Sequence, residues 1–162
     1  INGKYYIIRL SWVIGENGSN FVNKILELSL NKSELKVVND QFGVPTSTIL
    51  IAKVTKNLIE TIYNRKPWPN GIYHLAPKGE TTWHEIAKIF LKFAKNCGLI
   101  LKTDPDKIIA ISSAEFPTKA ARPQNSVLNT KKIRKQIKFD LPHWEEDFIK
   151  VSKKILNKYL TK

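Results

Sequence analysis

Cysteine and methionine are almost missing from this sequence, since its 162 residues include one cysteine, Cys97, and no methionine. A single cysteine cannot form a disulfide within the chain, and no cluster of cysteine and histidine has the spacing of a structural zinc site. We therefore expect a reducing compartment, the cytoplasm. Because the initiator methionine is also lacking, we expect the sequence to be a piece of a longer polypeptide.

Long hydrophobic runs and a secretory leader are lacking as well. No stretch approaches the roughly 18 consecutive apolar residues that a membrane-spanning helix needs, and residues 1–5 do not resemble a signal peptide. The apolar fraction of 42% with 10% aromatic residues is sufficient for a buried core. We expect a single globular unit over residues 1–162 that neither enters a membrane nor is secreted.

Arginine is scarce although the chain is strongly basic. There are 27 basic and 14 acidic residues, with a formal net charge of +13, and the arginines are Arg9, Arg65, Arg122 and Arg134. Paired hydrogen bonds to phosphates and guanines favour arginine, so a basic nucleic-acid-binding module is the weaker hypothesis. The lysines read mostly as solvated surface, and the densest basic run is residues 131–138. Attraction of an anionic small molecule, such as a nucleotide diphosphate, fits this charge better.

No glycine-rich loop for a pyrophosphate is present, and no general base stands out. Neither Gly-x-Gly-x-x-Gly nor a Walker-type loop occurs in the sequence. The histidines are scattered over different predicted elements, and Cys97 lies among apolar residues, which is typical of a packed thiol. The sequence itself therefore indicates neither a cofactor loop nor a catalytic acid or base.

Apolar spacing predicts strands that alternate with helices. Residues 5–10 form a compact apolar run, which predicts a strand buried on both faces. Thr82 and Glu85 have the spacing of a capping box at the start of a helix, and Gly98 stands where a C′ glycine would end it. The remaining strands are predicted at residues 35–38, 71–76 and 108–111, and the remaining helices begin near residues 20, 51 and 144. Residues 112–130 read as a long irregular loop.

This alternation predicts an α/β fold with parallel strand pairs where helices cross over. Such folds bind ligands in loops beyond the carboxyl ends of their strands. Three loops carry suggestive polar or aromatic residues, namely residues 11–20, 39–46 and 117–126. We expect a binding site where these loops come together.

Five motifs in order resemble those of the dTDP-4-dehydrorhamnose reductase family. They are RLSWVIG with GSNFV (residues 9–15 and 18–22), VVNDQFGVPT (37–46), GIYHLA (71–76), TWHE (82–85) and FPTKAARPQNSVL (116–128). A PHW segment at residues 142–144 also fits. The resemblance spans nearly the whole chain but only the second half of that family.

The resemblance implies the C-terminal part of a Rossmann-like extended short-chain dehydrogenase/reductase. We expect the last parallel strands of that fold with a small mixed α/β substrate-binding domain, the N-terminal cofactor-binding half being absent. The family reduces the C4 ketone of dTDP-4-dehydro-L-rhamnose with NADPH to give dTDP-L-rhamnose, which supplies rhamnose for polysaccharides. Its glycine-rich loop and Tyr-x-x-x-Lys pair do not occur here, so the isolated chain is expected to be inactive. The resemblance also makes magnesium and a homodimer candidates, although this sequence shows no evident magnesium site.

The matching residues suggest roles in substrate binding. The indole of Trp12 offers an apolar face to a deoxysugar, with a place in the core as its alternative. Arg122 has a planar donor fork suited to a diphosphate, and Pro123 stiffens the chain beside it. Ser11 would lie near the nicotinamide and the sugar. The other candidates, each balanced against a capping or turn role, are Asn20, Gln41, Thr46 and Ser126.

A non-catalytic relative is the main alternative. The regulatory subunit of methionine adenosyltransferase resembles these reductases and acts by binding a partner enzyme. An upstream Tyr-x-x-x-Lys in the native polypeptide would distinguish the reductase from such a subunit.

Overall fold

The structure is a computed structural model that describes residue 3 and residues 5–62, 69–118, 120 and 122–160. Its strands are β1 (Tyr6–Leu10), β2 (Val13–Ile14), β3 (Lys36–Val38), β4 (Phe42–Gly43), β5 (Thr46–Ser47), β6 (Gly71–Leu75), β7 (Thr81–Thr82) and β8 (Ile109–Ile111). Its helices are α1 (Phe21–Asn31), α2 (Thr48–Ile62), α3 (Trp83–Asn96), α4 (Lys131–Arg134) and α5 (Trp144–Leu160). Single 3-10 turns lie at Pro105–Lys107 and Ser113–Glu115.

Three of the four strand pairs are parallel. β1 pairs with β6, β2 with β5 and β3 with β8 in parallel, whereas β4 and β7 are antiparallel. Parallel strands need a crossover, and α1 and α2 both lie between β1 and β6 in the chain. The predicted mixed α/β architecture is confirmed.

Helix α1 begins where the sequence predicts. The side-chain oxygen of Asn20 accepts hydrogen bonds from the backbone N–H groups of Val22 and Asn23, both at 3.1 Å. These bonds satisfy donors that the first turn of a helix otherwise leaves unpaired. Asn20 is therefore the N-cap of α1.

Helix α3 follows its predicted pattern with one difference at the N-terminus. The Thr82 hydroxyl accepts from the Glu85 N–H at 3.2 Å, but the Glu85 carboxylate accepts from the Thr81 hydroxyl at 2.7 Å. Only half of the predicted capping box is thus present. Gly98 follows the C-cap, Cys97, with a φ of +96°, as a C′ glycine does.

The core consists of two clusters. The larger joins the inner faces of α1, α3 and α5, and the smaller joins α2 and β6 to the segment that follows residue 130. Ile133 of α4 and Ile137 lie in the smaller cluster. The lysines among residues 131–138 are exposed, as predicted, whereas helix α4 and the burial of Ile133 and Ile137 were not predicted.

Strand β1 is not buried on both faces, which corrects the sequence-based prediction. Ile7 is 45% exposed, and its partner on β6, Ile72, is 42% exposed. Tyr6 and Ile8, which point to the opposite face, pack against the smaller core cluster. Within the described ranges no strand other than β6 pairs with β1. The face that carries Ile7 and Ile72 is called the open face below.

A buried carboxylate joins α5 to the start of α2. Asp147 is 3% exposed and accepts from the Ser47 N–H at 2.9 Å and the Ser47 hydroxyl at 2.7 Å. The Ser47 hydroxyl in turn accepts from the Leu50 N–H at 3.0 Å. Burial raises the pKa of Asp147, because an apolar environment disfavours the charged form.

None of the described helices is long and apolar enough to cross a membrane.

Candidate functional site

The three loops selected from the sequence meet in the structure. The Thr46 N–H donates to the Trp12 carbonyl at 3.1 Å, which joins the first loop to the second. Phe42 joins the second loop to the third, because its N–H donates to the Gln124 carbonyl at 2.7 Å and its carbonyl accepts from the Ser126 N–H at 2.8 Å. These backbone bonds fix the loops around the carboxyl end of β1.

Trp12 has an unusual backbone at this junction. Its φ of +39° is the only positive value for a non-glycine residue in the described chain. A residue in this region costs about 1–3 kcal/mol and persists only where its surroundings hold it. The strain turns the chain sharply between β1 and β2. Such strain is often found at binding sites, so Trp12 is a candidate site residue.

The indole of Trp12 is closely packed but not fully buried. It stacks on the ring of Trp83, with centroids 3.7 Å apart and planes 18° from parallel. A Cβ added at Gly43 would lie 2.4 Å from Cε2 of the same indole, so only glycine allows this approach. Trp12 is half-buried. It packs against the core and is also partly accessible, so the predicted packing is present and the predicted sugar contact stays a prediction.

A chain of hydrogen bonds holds Trp83 in turn. Its indole N–H donates to Oε1 of Gln41 at 3.2 Å, and Nε2 of Gln41 donates to the Ser113 hydroxyl at 3.1 Å. Ser113 donates through its hydroxyl and its N–H to Asp40. These bonds from Ser113 keep the pKa of Asp40 below its ordinary value of 3.8. Gln41 is thus a bridge between two loops, and Asp40 holds its loop to Ser113.

Ser11 and Thr46 are the buried hydroxyl residues of the site. Ser11 is 4% exposed, and its hydroxyl has no hydrogen-bond partner among the described residues. An unsatisfied buried hydroxyl is costly, so the Ser11 hydroxyl is a candidate to bind a polar group. Thr46 is fully buried and its hydroxyl makes a long bond of 3.4 Å to the Val44 carbonyl. Of the two, Ser11 has the free donor.

Asn20 serves its own loop and helix. Besides capping α1, its amide nitrogen donates to the Gly15 carbonyl at 2.8 Å. Because its oxygen already occupies the first free N–H groups of α1, the capping role is present and these groups do not point at an anion. The sequence had left both roles open.

The third loop carries the basic side of the site. Arg122 and Pro123 are exposed, and Ser126 is half-buried. Within the described ranges, the guanidinium of Arg122 makes no hydrogen bond or ion pair. Its donor fork is therefore available to an anion. The structure brings the backbone of this loop against Phe42 but gives no contact from Arg122 or Pro123 to Trp12.

Comparison with known proteins places this site in a family. Residues 1–157 match the family model of the RmlD substrate binding domain. The chain belongs to this family. The RmlD substrate binding domain described here is 39% identical over 158 residues to a dTDP-4-dehydrorhamnose reductase of Shigella flexneri, and 38% identical over 158 residues to that of Escherichia coli K12. Each alignment covers 98% of this chain and 50% of the relative. The chain spans about half the length of the curated relatives it matches.

Solved structures agree on the fold. A dTDP-4-dehydrorhamnose reductase of Bacillus anthracis in complex with NADP is 30% identical with a TM-score of 0.78, and the match covers 92% of this chain and 48% of that one. A UDP-galactose 4-epimerase is 15% identical with a TM-score of 0.67, over 96% of this chain and 46% of that one. The neighbours are Rossmann-like extended short-chain dehydrogenases/reductases, which confirms the predicted fold and the family resemblance.

Sequence reasoning missed two residues of this RmlD substrate binding domain. Trp83 and Gly43 lie within the quoted motifs but were not among the predicted site residues. The TWHE motif contained Trp83, but its stacking on Trp12 depends on how the loops meet.

The described residues contain no group of three or more His, Cys, Asp or Glu side chains that could hold a metal ion.

Proposed function

We propose that this domain forms the substrate-binding half of an NADPH-dependent dTDP-4-dehydrorhamnose reductase, and that the cofactor-binding half precedes it in the natural polypeptide. The complete enzyme would reduce the C4 ketone of dTDP-4-dehydro-L-rhamnose to the alcohol of dTDP-L-rhamnose. The observation that carries this proposal is the strained, half-buried Trp12 where the three loops meet. Such a reaction on a soluble nucleotide sugar belongs in the cytoplasm.

The sugar would lie against Trp12. A deoxysugar has apolar C–H faces that pack on an indole, and burying them removes apolar surface from water. The backbone strain at Trp12 favours this role, since strained residues cluster at binding sites. Trp12 would therefore orient the ring that carries the ketone.

The diphosphate would lie on Arg122. An arginine fork makes two parallel hydrogen bonds to phosphate oxygens, and Arg122 has no competing partner among the described residues. The net charge of +13 would also attract a dianionic ligand. Pro123 stiffens the backbone beside the guanidinium, and Ser126 offers a hydroxyl on the same segment. Gln41 and Thr46 would act by holding the loops rather than by contacting the nucleotide.

The cofactor would be held mainly by the upstream half. NADPH supplies a hydride when bound, but this chain has no loop for its phosphates. The buried, unpartnered hydroxyl of Ser11 fits a polar group of the nicotinamide or the sugar. We therefore expect the chain on its own to oxidise no NADPH in the presence of the keto sugar. Addition of the upstream half should restore oxidation, and turnover by the chain alone would contradict the assignment.

Titration with dTDP-L-rhamnose tests the proposal in the full-length natural polypeptide. Trp12→Ala and Arg122→Ala should each weaken binding about 10- to 100-fold, because a lost charge-assisted bond or stacked ring removes about 1.5–3 kcal/mol. Arg134→Ala is the matched control, since Arg134 lies on α4 and its guanidinium pairs with the Asp140 carboxylate at 3.7 Å. Absence of binding by the parent protein would overturn the proposal. Binding without NADPH oxidation would favour a regulatory subunit, and steeply salt-dependent DNA binding would favour the nucleic-acid module.

Magnesium and a homodimer remain proposals for the complete protein. Any ion would have to use ligands beyond the described residues of this chain, because these contain no suitable acidic or histidine cluster. Sedimentation of the full-length polypeptide with and without EDTA would test both at once. A monomer under both conditions would contradict the homodimer.

A further inference from the structure

The stacked indoles of Trp12 and Trp83 hold each other across two elements. Trp12 lies after β1, and Trp83 is the first residue of α3. The distance of 3.7 Å and the angle of 18° leave little freedom for either ring. Because the φ of +39° at Trp12 is unfavourable in itself, some neighbour must stabilise this conformation. Trp83 is the side chain that stacks on its ring.

The orientation of Trp83 is fixed on further sides. Phe21 lies against its ring, with centroids 4.6 Å apart and planes tilted by 49°. Its N–H donates to Gln41, which Ser113 and Asp40 hold from the other side. These contacts restrict rotation of the half-buried Trp83 side chain. A side chain held in this way can support another one.

We propose that Trp83 is a positioning residue that holds the Trp12 indole against the substrate's sugar ring, and that Gln41 sets the orientation of Trp83 through its indole N–H. The inference rests on the proposed sugar-binding role of Trp12. Trp83 would act through Trp12 and would not itself contact the reacting atoms. Displacement of a binding group by a fraction of its width already weakens productive binding.

The experiment compares variants of the full-length natural polypeptide. Trp83→Leu removes the stack, Trp83→Phe keeps a ring without the N–H, and Gln41→Leu removes the acceptor while leaving both indoles. Phe93→Leu is the control. Phe93 also lies on α3, further along the helix than Trp83, and its ring packs against the larger core cluster. Each variant is measured for KM and kcat with the keto sugar, affinity for dTDP-L-rhamnose, melting temperature and circular dichroism.

Stacked indoles give paired positive and negative bands in the far-ultraviolet circular dichroism, which reports the stack without any substrate. We expect Trp83→Leu to abolish these bands and raise KM about 10- to 100-fold, with kcat less affected. Trp83→Phe should restore most of the lost affinity, and Gln41→Leu should weaken the bands and raise KM. Phe93→Leu should leave the bands and KM unchanged.

Different results separate the two proposals. If the parent protein does not bind dTDP-L-rhamnose, the proposed function fails, while the paired bands still report whether Trp83 holds Trp12. If the parent binds and Trp83→Leu binds equally well, the positioning role is overturned. If Trp83→Leu fails to fold, Gln41→Leu decides: unchanged bands and unchanged KM in that variant overturn the proposal.

Discussion

Gly43 controls how closely the backbone of β4 approaches the indole of Trp12. An added Cβ would lie 2.4 Å from Cε2 of that indole, which is too close for any real contact. We expect Gly43→Ala to displace the indole and weaken binding of dTDP-L-rhamnose about tenfold, a loss of about 1.4 kcal/mol.

Gly3→Ala is the control for this prediction, since nothing lies within 4 Å of a Cβ added there. Isothermal titration of the full-length protein measures both variants. Equal affinity of Gly43→Ala and the parent would mean that the position of the indole does not matter for binding.

Asp40 should make the loop contact between β3 and β8 sensitive to acid. Its folded-state pKa is lowered by the Ser113 hydroxyl and N–H, so its stabilising contribution is present above the ordinary value of 3.8. This contribution is lost as the pH falls through the lowered folded-state pKa. We expect the difference in unfolding free energy between the parent and Asp40→Asn to shrink in that range.

Denaturant titrations at several pH values measure this difference, in which the other titrating groups largely cancel. A difference that stays constant below pH 3.8 would contradict the assigned hydrogen bonds. Glu60→Gln is a suitable control, because Glu60 makes an exposed helix pair with Lys56 at 3.7 Å, which contributes little.

At the scale of elements, the Asp147 carboxylate of α5 accepts hydrogen bonds from Ser47, the residue just before α2. Asp147→Ala would leave the buried N–H of Ser47 without its acceptor. An unsatisfied buried donor costs about 1–3 kcal/mol, and we expect the unfolding free energy to fall by this amount. Asp140→Ala, at an exposed aspartate, should change it far less. Equal losses in the two variants, measured by denaturant titration, would show that the buried contact contributes nothing.

The elements that the sequence predicted well carry their own local signals. Asn20 caps α1 and Gly98 ends α3, because these residue types favour those positions regardless of the rest of the fold. The two-residue strands β2, β4, β5 and β7 could not be predicted, since periodicity needs at least four residues. They form only because distant loops come together.

The meeting of the three loops was predictable from the sequence, whereas the contacts within the candidate site were not. The motifs located Trp12 and Arg122, and the ends of the strands indicated where their loops would meet. The stack of Trp83 on Trp12 and the bridge through Gln41 depend on tertiary packing, which no local pattern encodes. The prediction of a strand buried on both faces was wrong, because no local pattern encodes whether another element packs on the face that carries Ile7.

At the scale of the whole molecule, the open face of β1 and β6 is an unpaired surface. Ile7 and Ile72 lie opposite each other there, and the outer edge of β1 has no strand partner in the described chain. Unpaired edges and exposed apolar patches promote association. We expect this chain, expressed alone, to self-associate at micromolar concentration, as measured by sedimentation velocity.

The double variant Ile7→Lys and Ile72→Lys should reduce this association, because charges on an open strand face oppose pairing. Ile100→Lys is the control: Ile100 is 91% exposed but lies apart, in the turn after α3. A monodisperse monomer of the unmodified chain would contradict the prediction.

Helix α5 also determines when this domain can fold during its synthesis. Phe148, Val151 and Ile155 pack in the same cluster as Ile14 and Val22, so the core contains residues from both ends of the domain. A ribosome adds about 5–20 residues per second from the N-terminus. The elements made earlier therefore lack their α5 partners until the last helix is synthesised, and we expect nascent chains that stop before Trp144 to be prone to aggregation.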